Sequence, residues 1–150
     1  MLRTVINRLP SKISSGQRFV TSNNSSLITV FYDGACGLCS KEINHYRKIA
    51  PPDVFNWQDI TKCDSQLKAE GITLADGLKL LHAKNTDGTI HIGVDAFILI
   101  WQQLNRWRIL AVLVSIPGVR QIVDFAYRSF ANRRFKHLEH CQAAAKQKPG

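Results

Sequence analysis

The 150-residue sequence is short of proline, cysteine, acidic residues and long apolar runs, and each shortage removes a class of protein. No stretch of about 18 apolar residues occurs, because Gln102, Gln103, Asn105, Arg106 and Arg108 break the greasiest segment. No membrane-spanning helix is expected, and the folded chain is expected to be soluble. Four unevenly spaced cysteines are too few for a secreted disulfide scaffold. There is no glycine-rich phosphate loop, no known nucleic-acid reader motif and no internal repeat. What remains, with 45% hydrophobic and 21% charged residues, suffices for one sizeable core and excludes disorder of the whole chain.

The 20 Lys and Arg against 11 Asp and Glu give a formal charge of +9, but the excess is not spread evenly. Residues 1–26 hold four bases and no acid, residues 27–101 hold seven bases and nine acids, and residues 102–150 hold nine bases and two acids. The segment with the clearest fold signals is therefore slightly acidic, which argues against nucleic acid as a partner. The first 26 residues combine Arg3, Arg8, Lys12 and Arg18 with Leu2, Val5, Ile6 and Leu9 at helical spacing, the composition of an organelle transit peptide. Mitochondrial import is one expectation for this segment. A disordered tail on a cytoplasmic protein is the other.

Leu27–Tyr32 is a β-branched and aromatic run without polar alternation, which predicts a strand buried on both faces. Asp33-Gly34 ends it, with Gly34 expected to supply a positive φ at the strand exit. Leu38, Ile43, Tyr46, Ile49 and Ala50 then mark a helix from about Gly37 that Pro51-Pro52 stop. Val54–Ile60 reads as a second strand, and Asp64–Glu70 as a short helix closed by Gly71. Leu78–Ala83 and Thr89–Gly93 flank an Asp-Gly turn and predict an antiparallel hairpin.

Downstream, Asp95 is expected to cap a helix running to Asn105, and a second helix to cover Arg106–Ile116. Pro117-Gly118 break the chain there. A third helix follows, with Ile122, Val123, Ala126, Tyr127, Phe130 and Ala131 inward and its basic residues outward. The expected organisation is a segment at 1–26, an α/β domain with a C-terminal helical arm over 27–141, and a frayed tail at 142–150.

Cys36-Gly37-Leu38-Cys39 sits where the first strand hands over to the first helix, so the first sulfur lies among backbone amides that lack helical partners. Those amides and the helix dipole favour a thiolate. Lowering a thiol pKa from about 8.5 to about 7 raises the ionised fraction roughly 16-fold but costs about 5-fold in nucleophilicity, so most of the advantage comes from holding a second sulfur in range. Cys36 is accordingly expected to attack and Cys39 to resolve. Asp33, three residues earlier, has three readings: acceptor of the Cys39 proton, like charge that raises both thiols, or turn residue capping local amides.

Phe31-Tyr32-Asp33-Gly34-Ala35-Cys36-Gly37-Leu38-Cys39 resembles the signature of the DCC family of thiol-disulfide oxidoreductases, named for its aspartate and two cysteines. Asp87-Gly88, Gly93-Val94-Asp95-Ala96, Trp107-Arg108, Tyr127-Arg128 and Ala131-Asn132-Arg133 extend the resemblance over roughly residues 27–138. It implies a thioredoxin-like fold and dithiol–disulfide exchange, with Asp33, Cys36 and Cys39 matching the motif. Protein or small-thiol substrates follow from that activity, and no organic cofactor is required. Thioredoxin itself carries a cis-proline facing its cysteines, whereas residues 53–116 here contain no proline, leaving a trans backbone around Ala75, Asp76 and Gly77 to take that place.

The competing reading is a non-catalytic interaction module or zinc-stabilised adaptor, drawing ligands from Cys36, Cys39, Cys63, His137, His140 and Cys141. The spacing opposes it, since Cys63 is isolated. Cys63 is expected to be a small buried hydrophobe and Cys141 an exposed thiol. His45, His82 and His91 carry no assigned role, and Trp57, Trp101 and Trp107 are expected to pack, with Trp57 also placed to border the active face. Arg128, Arg133, Arg134 and Lys136 are expected on a solvated helix face; an acidic protein or anionic lipid is the alternative use of that face.

Overall fold

The computed structural model describes residues 27–147. Residues 1–26, with their transit-peptide or tail reading, and 148–150 lie outside them. Four strands and seven helices follow in the order β1 (Ile28–Tyr32), α1 (Gly37–Ile49), β2 (Phe55–Asp59), α2 (Ser65–Ala69), α3 (Leu74–Lys79), β3 (His82–Lys84), β4 (Ile90–Ile92), α4 (Val94–Gln103), α5 (Arg108–Ser115), α6 (Val119–His137) and α7 (Glu139–Lys146). The strands form one mixed sheet in the order β2-β1-β3-β4, with β1 parallel to β2 and antiparallel to β3. A parallel βαβ unit joined to an antiparallel hairpin is the expected α/β, thioredoxin-like arrangement.

The continuous apolar run of β1 is explained by its central place, because all five residues are buried and alternate between two cores. Ile28, Val30 and Tyr32 meet Ile43 and Tyr46 of α1 and Ala96, Leu99 and Ile100 of α4 on one face. Phe31 points the other way, into a cluster with Ile60, Leu67, Leu78, Cys141 and Ala144. Each such fully buried large side chain contributes about 1.5–3 kcal/mol. The aromatic rim is cross-linked by a hydrogen bond of 3.0 Å from the Trp101 indole to the Tyr46 hydroxyl.

Several local expectations are corrected. Leu78–Lys79 end helix α3 instead of beginning a strand, and β3 starts only at His82. The helix start was signalled by Thr73-x-x-Asp76: the Thr73 hydroxyl accepts the Asp76 N–H at 3.1 Å and donates to its carboxylate at 2.6 Å. The residues proposed to replace the cis-proline, Ala75–Gly77, are therefore helical, and no cis peptide occurs among the described residues. Gly93, at φ +64°, precedes α4, while Asp95 makes no cap and binds Arg120 at 2.6 Å.

The frayed tail assigned to 142–150 is also revised: Gln142–Lys146 belong to α7. Cys141 and Ala144, one turn apart, bury its small-residue face against α3 and α6, which a periodicity of large apolar residues would not reveal. On α6 the predicted inward set holds only in part. Ala131 is buried and Val123 and Tyr127 are half-buried, but Ile122, Ala126 and Phe130 face outward.

Candidate functional site

Cys36 is the N-cap of α1, and its sulfur accepts the N–H of Cys39 at 3.4 Å. One turn of helix brings the Cys39 thiol to 2.9 Å from the Cys36 sulfur, to which it donates. All four cysteines of the chain are free. Cys36 is only 4% exposed, whereas Cys39 is partly open and lines a mostly apolar groove with Leu38, Leu78, Leu81, Phe97 and Phe130. The sequence, which placed the attacking sulfur at the start of a helix, does not register that it is buried.

Helix α6 supplies the unexpected member of the site. Arg134, assigned above to a solvated face, has a side chain only 11% exposed. Its Nη1 donates to the Cys39 sulfur at 2.7 Å and lies 3.6 Å from the Asp33 carboxylate, while its Nη2 donates to the carbonyls of Leu78 and Lys79 at 2.7 and 3.1 Å. The guanidinium fork thus satisfies the C-terminal carbonyls of α3 and faces the thiol pair at once, which a lysine could not do. Its signal in the sequence was hidden among three other bases of the arm, Arg128, Arg133 and Lys136, because helical phase alone does not show which one meets the other elements.

Burial pushes the Cys36 thiol up, but the hydrogen bonds from the Cys39 side chain and amide and the nearby Arg134 charge outweigh it and bring the thiol below its ordinary value. Burial pushes the Cys39 thiol well up, and donation to Cys36 and the Asp33 charge add to this against the opposing effect of Arg134. The two shifts run in opposite directions, so of the pair Cys36 is the thiol that ionises more readily, held by the hydrogen bond it accepts from Cys39.

Asp33 is buried and caps the turn: its Oδ1 accepts the N–H groups of Ala35 and Cys36, each at 3.1 Å. The turn-capping reading of this residue is therefore present, whereas the like-charge reading holds for Cys39 alone, since Cys36 is lowered and not raised. His140 of α7 places Nε2 at 3.0 and 2.9 Å from the two carboxylate oxygens. Gly34 does not supply a positive φ. Its reason is a close approach, since a Cβ there would fall 1.9 Å from Oδ2 of Asp59, whose Oδ1 accepts the Gly34 N–H at 3.1 Å.

The six zinc-ligand candidates do not converge on one point. Cys63 is exposed, not buried as expected, and contacts the Ser65 hydroxyl at 3.1 Å. Cys141 is buried, not exposed as expected, and its thiol is pushed up to about 11, by burial above all and by the Asp33 charge. Among the described residues, the group with metal-ligating atoms close together is Asp33, His140 and Cys141, all within 4.8 Å. Arg134 already sets a positive charge beside that carboxylate, which opposes a second cation there. Trp57 packs on Phe55 and under Arg47, away from the groove, and His45, His82 and His91 also lie outside it.

Fold and site together define a thioredoxin-like protein with a Cys-x-x-Cys thiol pair at its first strand–helix junction. The chain belongs to the DCC1-like thiol-disulfide oxidoreductase family, whose match spans residues 30–139. Neither the curated proteins nor the solved structures contain a match to it.

Proposed function

We propose that the protein exchanges disulfides with protein or small-thiol substrates through Cys36 and Cys39; the observation that carries this is the 2.9 Å approach of the two sulfurs beside a buried guanidinium. The Cys36 thiolate attacks one sulfur of a substrate disulfide, that S–S bond breaks, and the other substrate sulfur leaves with the electron pair. Cys39 then gives up its proton and attacks the Cys36 sulfur, releasing the second substrate thiolate. The dithiol has become a disulfide and the substrate has gained two electrons. Asp33 assists by taking the Cys39 proton, and half-buried His140, bonded to that carboxylate, links it to solvent. The apolar groove favours substrates with aliphatic or aromatic groups flanking the sulfur.

Direction depends on the electron donor and the compartment. About 30 mV corresponds to only about 1.4 kcal/mol, so a reducing compartment makes the protein a reductase. Equilibration of the purified protein in glutathione buffers, followed by mass mapping, tests the proposal. A Cys36–Cys39 bridge that forms and reopens with poise is expected; absence of that bridge at every poise overturns it.

One observation favours a second reading, in which Cys39 attacks: it, and not Cys36, lines the groove. Arg134 bears on both readings. In Arg134→Gln, loss of the guanidinium charge should slow alkylation of the pair by iodoacetamide at pH 7 about five- to tenfold and move the pH–rate profile to higher pH. An unchanged profile would show that Arg134 only anchors α3 to α6.

A further inference from the structure

Helix α5 is apolar almost all round, yet only one side of it is covered. Ala111 and Val114 pack on Val94 and Ile98 of α4. Ile109, Val112, Leu113 and Ile116, at i, i+3, i+4 and i+7, form a stripe that faces solvent, and Ile122 and Phe125 are exposed on α6, which packs against α5. Ile109, Ile122 and Phe125 are 71%, 72% and 75% exposed, far beyond what a scattered surface residue explains. A helix apolar on every side is normally enclosed by protein or lipid.

Charge identifies the cover. Residues 104–137, which carry the stripe, hold seven Lys or Arg and a single acid, Asp124, already bound to Arg128 at 2.7 Å. Arg106, Arg133 and Lys136 are exposed on the same arm. Apolar side chains set among cations, with almost no acids, match an anionic bilayer surface, where the side chains enter the acyl boundary and the cations meet the headgroups. A second copy of this chain would bring the same positive charge against itself. Among the described residues no single helix is long and apolar enough to cross a membrane, and the α5–α6 pair, which passes on length and composition together, is bent by 101°. The geometry is that of helices lying in the interface.

We infer that the exposed α5–α6 face docks the protein on anionic lipid bilayers. Phe130, half exposed on α6, also lines the groove beside Cys39, so docking would bring the thiol pair close to the membrane surface. This inference stands apart from the proposed exchange reaction and survives its failure.

The test is co-sedimentation of the full chain with phosphatidylcholine vesicles containing about 30% phosphatidylserine, and with phosphatidylcholine alone. The full chain should bind the anionic vesicles at least tenfold better than the neutral ones, and less well in high salt. Ile122→Gln with Phe125→Gln, and separately Arg133→Gln with Lys136→Gln, should each weaken binding about tenfold while leaving the thermal unfolding of the protein unchanged. Equal binding to both vesicles, no binding to either, or undiminished binding of both variants, which would assign it to residues 1–26, overturns the inference. So does a dimer in analytical ultracentrifugation that Ile122→Gln with Phe125→Gln dissociates, since the patch would then be covered by a second copy.

Discussion

Cys36→Ser should lower the rate of disulfide exchange at least about a thousandfold, because a serine hydroxyl neither ionises near neutral pH nor forms a bond that a second thiol can reverse. The fold should persist. Serine is close to cysteine in size and caps helices well, so the N-cap contact to the Cys39 amide is kept. The informative comparison is with Cys39→Ser. If Cys36 attacks, Cys39→Ser accumulates a mixed disulfide at Cys36 that mass mapping detects, and Cys36→Ser accumulates none. The opposite pattern would assign the attack to Cys39, consistent with its place in the groove. The pH dependence has a definite sign. With the Cys36 thiol below its ordinary value, alkylation of the pair should rise and level off at a lower pH than for an unperturbed thiol, as the thiolate fraction saturates.

Asp33→Ala should be the most destabilising single change at the site. The carboxylate, with a side chain 2% exposed, is the shared partner of two backbone amides, His140 and the buried Arg134. Its removal leaves two unpaired amides and takes the carboxylate from beside a guanidinium that keeps its Cys39, Leu78 and Lys79 partners, which together costs roughly 2–4 kcal/mol. A chemical denaturation midpoint measures it. Asp33→Asn separates structure from chemistry: the amide oxygen still accepts from Ala35 and Cys36, so a smaller loss of about 1–3 kcal/mol is expected. Because Asp33 is proposed to accept the Cys39 proton, the mixed disulfide of Asp33→Asn should nevertheless persist longer than in the unaltered protein. Resolution at the normal rate in Asp33→Asn would reduce Asp33 to a turn residue.

Two contacts tie these predictions to the C-terminal arm. Arg134 and His140 reach Cys39 and Asp33 from α6 and α7, across 95 and 107 residues of sequence. The arm is thus part of the site, and the order of the elements at the N-terminal side of the fold gives no hint of it.

Much of the fold was legible in local patterns. β1 is a continuous β-branched run, α1 is bounded by an N-cap and Pro51-Pro52, and the hairpin turns at Gly88, at φ +91°. Each of these is decided by residues near one another in sequence: steric preference, capping and turn chemistry act over a few positions. The Cys36–Cys39 spacing belongs with them, since one helical turn sets it. α3 and α7 were lost because their apolar positions are few or small and their stability comes from packing across the sheet.

The sequence by itself determined the strand–helix junction, the two thiols and the family. Only the tertiary structure decided that Arg134 and not its neighbours meets the sulfur, that Cys141 is buried and Cys63 exposed, and that α5 turns an apolar stripe outward. The physical reason is one of range. A helix's period says which residues share a face, but whether that face meets charge, lipid or another helix depends on elements brought alongside by the folded chain.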